Sequence, residues 1–119
     1  MVSFLFRGLT LAPYYGVLVR RSIRDVLKAL AGREPSIVHT LHYGANYLDP
    51  KHLSIWYLVR TSGDLEQARR NGLEQEIARS TRDALARHGY PEAALSQIHV
   101  GVGSEENVEK GGGWQRYFR

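Results

Sequence analysis

The chain contains no cysteine. That removes disulfides, thiolate zinc sites and thiol nucleophiles together. Long apolar runs are also missing. The longest uncharged stretch near the N-terminus, Gly8 to Val19, carries Pro13, Gly16 and two tyrosines. It falls short of the ~20 apolar residues that span a bilayer, and the arginine pair Arg20-Arg21 follows it rather than preceding it as in a secretory signal. A first strand followed by a loop is the expectation for this segment, with no membrane partner and a cytoplasmic location. No nucleophile elbow, phosphate loop, dinucleotide fingerprint or zinc-protease motif occurs.

Acidic residues are scarce in one region only. Residues 1–33 hold six basic residues against a single acid, Asp25, whereas the remainder holds ten basic and eleven acidic residues. The whole net charge of +4 therefore originates in the first quarter of the chain. What is present elsewhere is ordinary for a globular protein: 119 residues, 43% hydrophobic and 24% charged. That is one domain, residues 1–119, large enough to bury a core without staples.

Residues 20–32, RRSIRDVLKALAG, form an amphipathic pattern in which Ile23, Val26, Leu27 and Leu30 recur at helical spacing. Ser22 is the expected N-cap and Gly32 the left-handed terminator. Arg20, Arg21, Arg24 and Lys28 lie off the apolar stripe. Segments 37–48 and 53–61 are rich in β-branched and aromatic residues and read as two strands. Asp49-Pro50-Lys51-His52 suits a type I turn, giving an antiparallel hairpin with a loop of about four residues.

Helices follow near 65–70, capped by Asp64, and over 73–88, introduced by Asn71. His88-Gly89-Tyr90-Pro91 ends the second, and residues 92–95 add one turn. Residues 96–103 alternate Ile98, Val100 and Val102 with His99, Gly101 and Gly103, the pattern of a half-buried strand. Ser104 caps a short helix, and Gly111-Gly112-Gly113 leads into a terminal strand at 114–119. The C-terminal extension thus covers 104–119, and the N-terminal strand or arm 1–19. The expected fold class is α+β. A ferredoxin-like antiparallel sheet (βαββαβ if residues 2–6 supply a first strand, αββαβ without it) carries two helices on one face, plus a short C-terminal helix and terminal strand.

Residues 39–59, HTLHYGANYLDPKHLSIWYLV, concentrate three histidines, three tyrosines and a tryptophan. A metal site needs convergent ligands, but His39 and His42 are three apart on a strand and point to opposite faces, while His52 sits in the turn. No metal and no cofactor is expected. Asp49, Asp64, Glu105, Glu106, Ser96 and Ser104 all stand where turns or helix N-termini account for them, so no catalytic residue is assigned and a non-enzymatic role is favoured. The pair Glu105-Glu106 also discourages an anion after Gly103.

Three functional readings remain. In the first, strand 53–61 is apolar on both faces, and the chain self-associates as a homodimer through Ile55, Trp56, Tyr57, Leu58, Trp114, Tyr117 and Phe118. The second is a nucleic-acid-binding, RNA-type module, with Arg20, Arg21, Arg24 and Lys28 on phosphates and the sheet aromatics Tyr43, Tyr47, Trp56 and Tyr57 under bases. The third is a small-ligand site or enzyme cleft near Tyr47, Trp56, His99 and Trp114. Cover of the second sheet face by the chain's own terminal segments competes with the dimer.

Overall fold

The computed structural model describes the backbone of residues 2–46 and 48–114, with side chains from residue 15 onward. The stripe that begins at Ile23 in the sequence reading extends further back. Tyr15, Leu18, Val19, Ser22, Ile23, Val26 and Leu30 keep helical spacing and are all buried or partly so. Those up to Val26 belong to one helix, α1 (Val2–Ala29), which runs through Pro13 and Gly16, and Leu30 follows in the turn directly after it. The expected strand at residues 2–6 is therefore corrected to helix. Ser22 is corrected as well. It is buried in the helix interior, where its hydroxyl satisfies itself by donating to the Leu18 carbonyl at 2.7 Å. Gly32, at φ +87°, ends the turn after α1 as expected.

Strand β1 (His39–Tyr43) pairs antiparallel with β2 (Ser54–Val59). The hairpin loop is longer than the four residues expected, because pairing stops at Tyr43. Gly44 takes φ +114°, and a Cβ there would lie 1.8 Å from the His52 carbonyl oxygen, so only glycine lets the two backbones meet. Beyond it, Asp49 caps a 3-10 turn (Pro50–His52) by accepting from the Lys51 amide, and Tyr90 anchors the turn by donating to the Pro50 carbonyl at 2.5 Å. Tyr47 lies outside the described residues.

After β2 come α2 (Ser62–Arg70), α3 (Leu73–Arg87) and a single turn, α4 (Glu92–Leu95). The cap of α2 is Thr61, whose hydroxyl accepts from the Asp64 amide, rather than Asp64 itself. Asn71 does introduce α3, from one position earlier than the cap, with its side-chain oxygen accepting from Leu73 N. Strand β3 (His99–Ser104) then pairs in parallel with β2, and α5 (Glu105–Lys110) follows at once, capped by Ser104 as expected. The terminal strand expected at 114–119 falls, apart from Trp114, outside the described residues.

Among the described residues the sheet is three-stranded in the order β1-β2-β3, with β2 central. This α+β domain has a mixed sheet, not the expected antiparallel one. A ferredoxin-like sheet would place a further strand between two parallel neighbours. Here the crossover through α2 and α3 returns β3 directly beside β2, as in a simple βαβ unit. No helix among the described residues is long and apolar enough to cross a membrane.

The two faces of the sheet differ. Ile55, Tyr57 and Val59 point toward the helices, are fully buried, and join α1, α2, α3 and Val102 in one core cluster. Burial of each such side chain contributes ~1.5–3 kcal/mol. Within the cluster, Tyr57 donates to Thr81 Oγ1 at 2.8 Å, and Thr81 donates to the Ile77 carbonyl at 2.7 Å. Loss of solvent pushes the Tyr57 phenol up to about 12, so it stays a neutral donor throughout the ordinary pH range. Helices α1 and α3 run antiparallel, linked by Tyr15 against Tyr90, Asp25 with Arg87 and His88, and Arg33 with Glu76.

Candidate nucleic-acid interface

The basic residues of α1 follow from its amphipathic spacing. With 18, 19, 22, 23, 26 and 30 facing the core, positions 20, 21, 24 and 28 must face outward, and Arg20, Arg21, Arg24 and Lys28 are all exposed. The helix's one acid does not neutralise them. Asp25 turns to α3, where His88 Nε2 lies 2.7 Å and Arg87 3.5 Å from its carboxylate, and the His88 hydrogen bond holds that carboxyl below the usual range. Among the described residues, none of the four cations on the outer face forms an ion pair. Four like charges on two turns repel one another and attract an anion.

Two of them open onto a groove. Thr40 and His42 alternate to the helix side of edge strand β1, and they close a groove of about 440 Å³ with Arg20, Ile23, Arg24 and Leu27. Its walls are cationic and its floor apolar. Leu27, at 37% exposed, is one of the few large apolar side chains left open to water among the described residues. His42 is half-buried there; desolvation chiefly, and the Arg20 charge next, lower its pKa. An uncharged imidazole can still donate one hydrogen bond, and an anion bound in the groove would favour its protonation.

The opposite face of the sheet carries the rings. Side chains there form three rows across the strands: Tyr43–Ser54–His99, Leu41–Trp56–Gly101 and His39–Leu58–Gly103. A Cβ on Gly101 would sit 2.7 Å from the Trp56 ring, and one on Gly103 3.2 Å from Leu58, so these glycines are what let Trp56 lie over β3. The indole is fixed from both sides. Its N–H donates to the Tyr43 hydroxyl at 3.2 Å, and the His99 ring centroid lies 4.9 Å from its own.

The third row is closed by the chain itself. From Ser104 the backbone passes through α5, which buries Val108, to Trp114, whose ring packs at a tilt against His39 with the ring centroids 4.6 Å apart. It therefore crosses the face above Leu58, which is fully buried. The start of α5 is docked by Glu106, which accepts from the Ser62 amide at 2.8 Å and the Ser62 hydroxyl at 2.9 Å; the amide bond is the main reason its pKa is lowered.

The residues singled out in the sequence are thus distributed unequally. Of the interface set, Ile55 and Tyr57 are core, Leu58 is covered within the chain, and Trp56 and Trp114 remain half-buried and exposed respectively. Tyr117 and Phe118 lie outside the described residues. Of the cleft set, Trp56 and His99 touch, whereas Trp114 sits at the far row on His39. Beside His99, a hollow of about 580 Å³ is bounded by Tyr43, Lys51, His52, Ser54 and Gln97. His39 and His42 do face opposite ways, and His99 stands two strands from β1 at the end away from His39. Sequence reading missed Thr40 and His42 as groove residues. The signal was the alternation of β1, which puts 40 and 42 beside the helix once 39 is placed outside.

No family model, curated protein or solved structure matches this chain.

Proposed function

We propose that this protein is a non-enzymatic nucleic-acid-binding domain that engages phosphates through the outer face of α1. The observation that carries this reading is the cluster Arg20, Arg21, Arg24 and Lys28, exposed together while the sole acid of the helix is engaged elsewhere. Such a surface gains affinity by releasing counterions from a polyanion. Exposed rings on the sheet add a platform for unpaired bases. Fluorescence anisotropy with a labelled random oligonucleotide tests the reading. Binding should be measurable at low salt and should disappear in the double variant Arg20→Glu, Arg24→Glu; unchanged binding by that variant rules the helix out.

Self-association is the second reading, supported by Tyr43 and Trp114, about 41% and 40% exposed at either end of the ring-bearing face. A second copy would bury them. Light scattering across a hundredfold concentration range distinguishes the cases, and Trp114→Ser should restore monomer if that face is the contact. A wild-type chain that is monomeric at the highest concentration eliminates it.

A further inference from the structure

The groove on the helix side and the rings on the other side meet at one place. His42 and Tyr43 are consecutive residues of β1, and their side chains leave the strand in opposite directions. β1 is the end strand of the sheet among the described residues, so the two surfaces are separated only by that strand's edge. On one side stand Arg20, Arg24, Thr40 and His42 above the apolar floor of Ile23 and Leu27. On the other stand Tyr43, Trp56 and His99, their rings braced against one another. We propose that these form a single site for single-stranded nucleic acid, in which the strand crosses the β1 edge with phosphates held by Arg20, Arg24 and His42 and bases stacked on Tyr43 and the Trp56–His99 pair.

This inference rests on the nucleic-acid reading and narrows it. The chemistry selects a single strand because a duplex keeps its bases stacked inside, with no face to offer a protein ring. The geometry selects a thin, flexible chain, since the ligand must bend round one strand of a sheet. The apolar groove floor suits a sugar between two phosphates. Arginine is the appropriate cation, because its planar fork grips phosphate oxygens in pairs. A hydrogen-bonded indole is held in one orientation, so stacking on it loses less freedom than on a loose ring.

The test uses the full chain and a labelled twelve-nucleotide oligothymidylate, with a hairpin duplex of equal charge and polyglutamate as competitors. The single strand should bind about tenfold more tightly than the duplex, and polyglutamate should compete poorly. Tyr43→Ala should weaken binding about fivefold or more, as loss of one stacking ring does, while Tyr43→Phe, which keeps the ring and loses only the bond from the indole, should weaken it by clearly less. Amide and ring resonances of both His42 and Tyr43 should shift on titration, which reports on the site even where a variant folds badly. If the oligonucleotide binds but Tyr43→Ala has no effect and His42 is unmoved, this site is wrong while the basic helix stands. Equal binding of duplex or polyglutamate overturns the single-strand assignment. No binding by the wild-type chain overturns both.

Discussion

Single residues decide whether this sheet can form. Gly44 combines φ +114° with a carbonyl oxygen where its Cβ would be. Gly44→Ala should destabilise the protein by ~1–3 kcal/mol from backbone strain alone, with loop rearrangement added, as read by urea denaturation. A loss under about 0.5 kcal/mol would mean that the loop relaxes freely. The Tyr57–Thr81 pair gives a sharper contrast. Tyr57→Phe leaves Thr81 still bonded to the Ile77 carbonyl and should cost ~0.5–1.5 kcal/mol, the net worth of one hydrogen bond. Thr81→Val leaves the buried phenol without an acceptor and should cost more, ~1–3 kcal/mol. The reverse order would contradict the donor assignment. These residues were invisible as a pair in the sequence, because Tyr57 looked like one ring in an apolar strand and Thr81 like one member of a helical stripe.

At the scale of elements, the electrostatic contacts predict how pairs of helices respond to acid. Asp25 and Glu106 have folded pKa values below their ordinary 3.8 and 4.5, so the unfolded chain takes up these protons first. Their contribution is complete above those values and is lost as pH falls through the lower folded ones. His42 behaves likewise at higher pH. Its folded pKa lies below 6.5, so stability starts to decline as pH drops past 6.5 and levels off once the folded imidazole also protonates. Thermal melts from pH 7 to pH 2 should show two limbs; His42→Gln should remove the upper one, and Asp25→Asn should flatten part of the lower. A melt unchanged between pH 7 and pH 5 would refute the burial of His42. Elements whose signals are local were legible in the sequence: α3 with its Gly-Pro ending, β3 with its alternation, and the Ser104 cap. The start of α1 was not, because Pro13 and Gly16 are local breakers, whereas the core contacts from Tyr15 to Leu30 that favour helix are tertiary. The hairpin loop was misjudged for the same reason. The Asp49-Pro50 signal is real, but the close approach of Gly44 to His52 ends pairing earlier, and no window of sequence displays that contact.

For the whole molecule, the order of elements was mostly legible and the sheet's connectivity was not. Whether β3 returns beside β2 or leaves a gap for another strand depends on long-range packing, and residues 2–6, expected to supply that strand, are part of α1. The charge asymmetry survived this change of fold intact. It rests on composition and helical spacing, and both place Arg20, Arg21, Arg24 and Lys28 outside whatever the sheet order. The candidate site was half visible: the cations, Tyr43, Trp56 and His99 were named from sequence, whereas Thr40 and His42 join them as groove residues only through the β1 register. Phosphate recognition by α1 is the central claim, and the salt dependence of binding measures it most directly. For anisotropy-monitored binding of the oligothymidylate between 20 and 200 mM salt, log K should fall linearly with log salt. A slope near −2 to −3 is expected, for three or four neutralised phosphates at about −0.7 each. Affinity that is independent of salt, or absent at the lowest concentration, would contradict it.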